Sequence, residues 1–407
     1  MAQLGLNSAF AAALALAAGL ASGPAQAQVP GNTLKVGVLS DMSGPFASQA
    51  GPGSVAAAQI AAEDFAKEAG GLKVEIVAAD HQNKPDIGGL IARKWVDQEG
   101  VTAIVDLPNS AVGLAVSQLL DEKNRTTLAS STATSDMTGK FCKKTTVQWN
   151  LDTWALGNAV GRAVTEAGGK SWYFISFEYA LGQALERDTG EAVKKAGGTV
   201  LGSVRHPLGT TDFSSYLLQA QGSGANVIGL ADTGTDAINA VKQIGEFGIL
   251  QKGMFLAALF MQITDIESIG LPQAKGLILS EPFYWDLNDQ TRAWSRRFAE
   301  RMNGRMPTIN HAGVYSATMA YLRAAKAANT IDGDKVVAQM RSAPIDDPLF
   351  GKVQIRPDGR AVHEMYVFRV KSPEESKGRY DFYQLTKTIP ADEAFRPLNE
   401  GGCPLVK

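Results

Sequence analysis

The sequence has little cysteine, little histidine and no excess of charge of either sign. Its 407 residues include two Cys and four His, which excludes a Cys-rich zinc site and a dense disulfide scaffold. Lys and Arg number 39 against 41 Asp and Glu, so a net charge of −2 creates no attraction to nucleic acid or anionic lipid. Hydrophobic residues make up 45% of the chain, which is ordinary for a globular protein of two or three domains.

The N-terminus predicts an export signal. Residues 9–21 form an apolar run that is shorter than the roughly 20 residues needed to span a bilayer. Ala25-Gln26-Ala27 follows it, which is the small-x-small pattern of a signal-peptidase site. The first charged residue is Lys35, so no basic residue precedes the run and the true translation start stays open. We expect cleavage after Ala27 and a periplasmic protein; a buried Ala-rich helix is the alternative.

Short apolar runs alternate with segments of helical composition along most of the chain. Such alternation predicts an α/β fold with parallel sheets covered by helices on both faces, and ligand sites in the loops after the strands. Gly-Gly pairs at 70–71, 168–169 and 197–198 end three of the predicted helices. The tail predicts antiparallel strands at 352–355, 362–370 and 381–385. The other strands are expected at 34–39, 72–77, 103–105, 127–129, 172–176, 200–204, 227–230, 253–257 and 277–279, and helices at 54–68, 110–122, 180–196, 234–247 and 309–327.

Motifs of catalysis and cofactor binding are missing. There is no P-loop, CxxC, HExxH or GxSxG. Residues 51–56 match a loose G-x-G-x-x-A, but they lie far beyond the first strand and Pro52 lacks a backbone donor, which favours a helix entry. The four histidines have no metal-ligand spacing, so we expect structural or surface roles. The sequence predicts no cofactor and no metal; an enzyme on a doubly wound fold remains the alternative.

Polar loops after two consecutive strands predict a site for a small anionic group. Asn109 and Ser110 open a helix after one strand, and residues 130–135 follow the next. Ser110 is a good N-cap, and free N–H groups at such a helix start can bind an anion. The alternative is that these hydroxyls only cap helices and turns.

Cys142 and Cys403 are the only cysteines, and in an exported chain they are expected to form a disulfide. A loop of this length gives an upper limit of about 5–6 kcal/mol of stabilisation in the chain-entropy treatment. Two free thiols are the alternative.

Four short motifs occur in an order that resembles a known family. They are residues 39–45 (LSDMSGP), 136–138 (DMT), 179–182 (YALG) and 212–217 (DFSSYL). In these the chain resembles the extracellular solute-binding proteins of branched-chain amino acid ABC transporters, from about residue 33 to the C-terminus.

The resemblance implies a two-lobed type I periplasmic-binding-protein fold with three interlobe crossings, near Asn150, Glu281 and Ile355. Lobe 1 would comprise 33–150 plus 282–355, and lobe 2 would comprise 151–281 plus 356–407. A small ligand would bind in the cleft and close it, and the closed monomer would dock on a membrane permease. A ligand-sensing receptor domain of the same fold is the alternative.

The resemblance also implies a set of ligand-binding residues. In lobe 1 the loop position of Asn109 and Ser110 contributes, and a Ser131–Ala133 segment holds a carboxylate through hydroxyl and amide donors. Lobe 2 contributes the aromatic Tyr179, and the second crossing contributes Phe283 and Tyr284. Gln49 stands about where relatives have an aromatic residue. The full set is Gln49, Asn109, Ser110, Ser131, Thr132, Ala133, Tyr179, Asp232, Phe260, Phe283 and Tyr284.

The ligand class is where the chain departs from the family pattern. Amino acid binders hold the ligand's ammonium with a lobe 2 carboxylate on the loop after the strand at 253–257. Here that loop has no acid before Asp265, and Phe260 and Met261 offer an apolar wall instead. A buried ammonium without a counter-charge costs several kcal/mol, so we expect an organic or aromatic carboxylate in preference to a branched-chain amino acid. Asp232, on the preceding loop, could reverse this by binding an ammonium.

Overall fold

A computed structural model describes residues 29–250 and 253–406. The predicted export signal, residues 1–27, lies outside the described residues. No helix in the described part of the chain combines the length and the apolar character that a membrane crossing needs.

Sheet A contains five parallel strands in the order β2-β1-β3-β4-β5. The chain winds from strand to helix to strand because apolar runs alternate with amphipathic segments. The strands are β1 (Thr33–Ser40), β2 (Lys73–Asp80), β3 (Ala103–Asp106), β4 (Thr126–Ala129) and β5 (Thr146–Gln148), and the helices are α1 (Gly51–Ala66), α2 (Pro85–Gln98) and α3 (Ser110–Glu122).

Sheet B contains four parallel strands in the order β7-β6-β8-β9. A helix that includes a π-helical turn precedes it, formed by α4 (Thr153–Leu156), the π turn Gly157–Gly161 and α5 (Arg162–Glu166). The strands are β6 (Ser171–Phe177), β7 (Thr199–His206), β8 (Val227–Ala231) and β9 (Phe255–Ala258), and the helices are α6 (Ala180–Lys195), α7 (Ser214–Gly222), α8 (Gly234–Glu246), α9 (Ile263–Ile269) and α10 (Leu271–Ala274).

The rest of the described chain adds four helices and two small antiparallel sheets. Sheet C has the order β10-β14-β15 and sheet D the order β11-β12-β13. The antiparallel ending predicted from the sequence is therefore confirmed. These elements are β10 (Ile278–Glu281), α11 (Asp289–Arg301), α12 (Ile309–Ala328), α13 (Gly333–Arg341), β11 (Ile345–Asp347), β12 (Gly351–Ile355), β13 (Ala361–Val362), β14 (Met365–Val370), β15 (Tyr383–Ile389) and α14 (Ala391–Ala394), with short 3₁₀ turns at Pro30–Asn32, Ser135–Thr138 and Leu398–Glu400.

The glycines at residues 51–53 serve helix packing. They form the first turn of α1, as the helix-entry interpretation of this motif predicts. A Cβ on Gly53 would lie 2.3 Å from His311 Nε2 of α12, and that nitrogen is 3.0 Å from Ala50 O. The absence of a side chain at Gly53 thus lets α12 approach α1.

Two chain segments run side by side between sheets A and B. Gln148 N donates to Gly359 O at 2.9 Å, and the fully buried Arg360 donates to Asn150 O. The Arg360 guanidinium lies 3.6 Å from Asp152 and stacks on Phe395. A buried cation needs such partners, so these residues tie the two segments together.

The predicted disulfide between Cys142 and Cys403 is present. It fastens the C-terminal tail beside the turn that follows β4, with the two Cα atoms 5.6 Å apart. Arg396 reinforces this attachment by donating to Ser135 O at 3.0 Å.

Candidate functional site

The loops at the carboxyl ends of sheets A and B meet across a closed cleft. Gln49, after β1, donates from Nε2 to Thr233 Oγ1 at 3.0 Å and to Asp265 Oδ2 at 2.6 Å. Thr235 N donates to Pro45 O at 3.3 Å. We use "the cleft" for the space between the loops after β1, β3 and β4 and the loops after β6, β8 and β9. Gln49 therefore lies in the cleft and bridges its two walls.

Asn109, rather than Ser110, caps helix α3. Its side-chain oxygen accepts from Ala111 N at 3.0 Å and from Val112 N at 3.2 Å. Ser110 is the first helical residue, and its hydroxyl accepts from Thr134 N. Both residue types are good caps, and extended backbone angles place Asn109 in the capping position. Two of the N–H groups expected to bind an anion are therefore already occupied.

The Ser131–Ala133 segment offers backbone donors rather than hydroxyl donors. The Ser131 hydroxyl donates to Asp106 Oδ1, and the Thr132 hydroxyl donates to Leu107 O at 2.6 Å. The backbone N–H groups of Thr132 and Ala133 have no acceptor among the described residues. The buried hydroxyl of Ser130, which the sequence did not single out as a ligand residue, is also unpartnered. The predicted carboxylate position thus keeps its amide donors.

Backbone strain marks the neighbouring loop. Asp106 and Leu107 have φ values of +86° and +64°, a left-handed conformation that is uncommon for residues other than glycine. Such strain persists where the surrounding structure enforces it, often at functional sites. Burial raises the pKa of Asp106 to about 6, although Ser131 donates to it.

Asp232 lies at the end of β8 on the opposite wall. Its side chain is buried, and neither carboxylate oxygen has a hydrogen-bond partner among the described residues. His206 Nε2 lies 3.4 Å from Asp232 Oδ2, close enough for an ion pair. Burial raises the pKa of Asp232. A buried carboxylate that lacks close hydrogen bonds can accept from a further donor.

The contacts of His206 indicate that a proton lies between its Nε2 atom and the carboxylate of Asp232. Its Nδ1 lies 3.1 Å from Pro207 O, and because a carbonyl only accepts, Nδ1 carries hydrogen. If Nδ1 carried the only ring hydrogen, the lone pair of Nε2 would face the negatively charged carboxylate of Asp232. Burial opposes the charged ring, but Asp232 raises the pKa of His206 overall. This histidine, expected to be structural, is a site residue that the sequence analysis missed; its position at the end of a parallel strand was the available signal.

Tyr179 reaches the same region from the start of α6. Its ring packs 5.1 Å from the ring of Phe177, and its buried hydroxyl has no partner among the described residues. Burial, followed by the charges of Asp236 and Asp232, raises its pKa well above the usual range. The Tyr179 hydroxyl and the Asp232 carboxylate do not satisfy each other, so each is available to a further polar group.

Three aromatic residues of the predicted set differ in placement. Phe260 and Phe283 belong to one contiguous apolar cluster with Phe46 and Phe177, which reaches the cleft. Tyr284 belongs to another cluster with Phe368 and Tyr383. Its hydroxyl donates to Tyr380 O at 2.6 Å and accepts from Phe382 N at 3.2 Å. The hydrogen-bonding capacity of Tyr284 is thus used by the loop that precedes β15, and the structure does not bring it to the other candidates.

Comparison with known proteins decides the family. Residues 33–379 match a family described as periplasmic binding protein. The chain belongs to this family. It is a family of non-enzymatic transport components, so the predicted fold class, the resemblance and the expectation of no enzyme activity are confirmed.

Two solved structures and one curated relative are similar to the chain. A periplasmic binding protein from Burkholderia mallei is 42% identical with a TM-score of 0.89, covering 92% of this chain and 100% of that one. A branched chain amino acid ABC transporter periplasmic ligand-binding protein from Burkholderia xenovorans LB400 is 38% identical with a TM-score of 0.81 and the same coverage. The Leu/Ile/Val-binding protein homolog 6 of Brucella melitensis is 27% identical over 59% of this chain and 62% of its own length, so the match spans less than two thirds of that relative.

Proposed function

We propose that this periplasmic binding protein captures an α-amino acid or a similar zwitterion in the cleft and delivers it to an ABC-transporter permease. The proposal rests on complementary groups on the two walls. One wall has unoccupied amide donors at Thr132 and Ala133, and the other has an unoccupied carboxylate at Asp232. A carboxylate and an ammonium on one small molecule would satisfy both.

Asp232 is the observation that carries the proposal. A buried carboxylate costs several kcal/mol unless it is paired and hydrogen-bonded. Among residues 29–250 and 253–406, neither of its oxygens has a hydrogen-bond partner and only His206 lies at ion-pair distance. An ammonium brings three donors and a positive charge, which would pair with Asp232 and the unpartnered Tyr179 hydroxyl together.

This ligand class differs from the one that the sequence favoured. The loop after β9 lacks an early acid, and this absence suggested an acid without an amino group. The unpartnered carboxylate of Asp232 supports a counter-charge at that residue instead. An organic or aromatic carboxylate remains the second candidate, because Phe46, Phe177 and Phe260 form one apolar cluster beside the cleft.

We retain the lobe boundaries predicted from the sequence, with lobe 1 at 33–150 plus 282–355 and lobe 2 at 151–281 plus 356–407. A zwitterion that touches both lobes would favour the closed state by its differential affinity. The Gln49 and Pro45 contacts across the cleft support such a closed state. Gene neighbours that encode permeases and ATPases would separate transport from a sensor role.

A thermal-shift screen of α-amino acids and of organic acids without an amino group tests the ligand class. We expect stabilisation by α-amino acids, and its loss in Asp232→Asn. A lost charge-assisted hydrogen bond costs about 1.5–3 kcal/mol, roughly ten- to a hundred-fold in affinity. Stabilisation only by acids that lack the amino group, unchanged in Asp232→Asn, would support the second candidate instead.

A further inference from the structure

A second pair of buried acids lies on the lobe 2 wall and is not explained by the zwitterion. Asp265 is fully buried in the first turn of α9, and Glu281 is buried at the end of β10. Asp265 Oδ2 accepts from Gln49 Nε2 and Gln262 N, but Asp265 Oδ1 has no partner. The nearest polar contact of Glu281 is the Tyr383 hydroxyl at 3.4 Å.

Asp265 is a neighbour of the proposed ammonium site. Gln49 Nε2 donates to Asp265 Oδ2 and also to Thr233 Oγ1. Both oxygens therefore lie within hydrogen-bond distance of the same nitrogen. Thr233 directly follows Asp232 in the chain. The charge of Asp232 also contributes to the raised pKa of Asp265. The two carboxylates therefore stand next to each other along one wall of the cleft.

No basic side chain among the described residues pairs with Asp265 or Glu281. No lysine, arginine or histidine contributes to the pKa of Asp265 or Glu281, and burial raises both values, Asp265 to about 7. The wholly buried Gln262, in the same turn as Asp265, has a side-chain Oε1 without a hydrogen-bond partner among the described residues, as does Asp265 Oδ1. Two buried oxygen acceptors that lack donors suit a group that only donates, such as a cation.

We propose that the solute carries a second cationic group, as in an amino acid with a basic side chain, and that Asp265 and Glu281 receive that group. This inference rests on the proposed function, since it assumes that Asp232 holds the α-ammonium. Asp265 Oδ1 accepts from the side-chain cation, and Glu281 offers a second carboxyl group beside it. The methylene stem of such a side chain packs on apolar residues while its charged end reaches the acids, which suits Phe260 and Met261.

Calorimetric titration with L-norleucine and L-lysine tests the second cationic group, because these ligands share a backbone and differ in the terminal ammonium. We expect lysine to bind wild-type protein about ten- to a hundred-fold more tightly than norleucine, as for one charge-assisted hydrogen bond. Asp265→Asn should abolish this ratio, so that lysine and norleucine bind the variant with similar affinity. Glu267→Gln is the matched control, since Glu267 lies on the same helix but pairs with Arg379; it should keep the ratio.

The outcomes separate this inference from the proposed function. Equal or tighter binding of norleucine would overturn the second cationic group and leave the zwitterion in place. A lysine preference that survives in Asp265→Asn would overturn the role of Asp265. Binding of benzoate with no binding of either amino acid would overturn both proposals. A melting curve for each variant shows whether it folds.

Discussion

A buried carboxylate without a hydrogen-bond donor is costly to ionise, and Asp232 is in that position until a ligand arrives. The proton between His206 and Asp232 offsets part of that cost in the ligand-free protein. An ammonium bound at Asp232 favours loss of this proton, because its positive charge lowers the pKa of both His206 and Asp232. The titratable groups that face His206 are Asp232, Asp236 and Tyr216, and of these Asp232 is the one that the proposed ligand contacts.

Ligand binding should therefore release a proton from the His206–Asp232 pair. We expect the affinity for an α-amino acid to rise with pH through the titration of the pair. Titration calorimetry in two buffers of different ionisation enthalpy measures the number of protons released. His206→Gln should reduce that release, and an equal release in wild type and variant would contradict the role of this pair.

A second prediction at the scale of single residues concerns Asp265. Its raised pKa sets the direction in which stability depends on pH. In the unfolded chain it ionises near 3.8, whereas burial raises its pKa in the folded protein to about 7. Its contribution to the free energy of unfolding is therefore fully present below about 4 and is lost as pH rises through about 7. Asp265→Asn should raise the melting temperature of the ligand-free protein more near pH 8 than near pH 5. An effect that is equal at both pH values would contradict the burial of an ionisable group there.

At the scale of elements, the close approach of α1 and α12 depends on Gly53. Gly53→Ala would place a methyl group against His311, so we expect it to lower stability by about 1–3 kcal/mol, as overpacking does. Gly89→Ala is the matched control: Gly89 lies within α2 and has open space around it. This change should raise stability by up to about 1 kcal/mol. Denaturant unfolding compares the two; equal effects would contradict the packing role.

Most helices and strands could be predicted from the sequence, but most contacts between the residues of the cleft could not. Helix α3 matches its predicted span of 110–122 because apolar periodicity is local. The contact between Gln49 and Asp265 joins residues 216 apart in the chain, and no local pattern carries such a pairing. Phe283 and Tyr284 are adjacent in sequence but lie in different apolar clusters, so a motif match could not separate them.

At the scale of the whole molecule, the proposed closure of the cleft requires contact between the loop after β1 and the loop after β8. Gly234 lies at this contact with φ of +64°, and a Cβ there would stand 2.6 Å from Pro45 O. Gly234→Ala should hinder closure and weaken ligand binding by about tenfold or more, since less of the protein reaches the competent state. Small-angle scattering with ligand should show a larger radius of gyration than in wild type.

Gly209→Ala is the control for backbone strain at Gly234. Gly209 has φ of +87°, and a Cβ there would meet nothing within 4 Å. It should lower stability without changing ligand affinity. If both variants bind like wild type, contact between Pro45 and Gly234 plays no part in closure.

Titration of matched ligands tests the zwitterion at the level of the whole protein. The pairs are norleucine with hexanoate and lysine with 6-aminohexanoate, which differ only in the α-amino group. Since Asp232 and the Thr132–Ala133 amides act on opposite ends of one headgroup, each amino acid should bind at least about tenfold more tightly than its partner. Equal or tighter binding of hexanoate and 6-aminohexanoate would contradict an ammonium at Asp232.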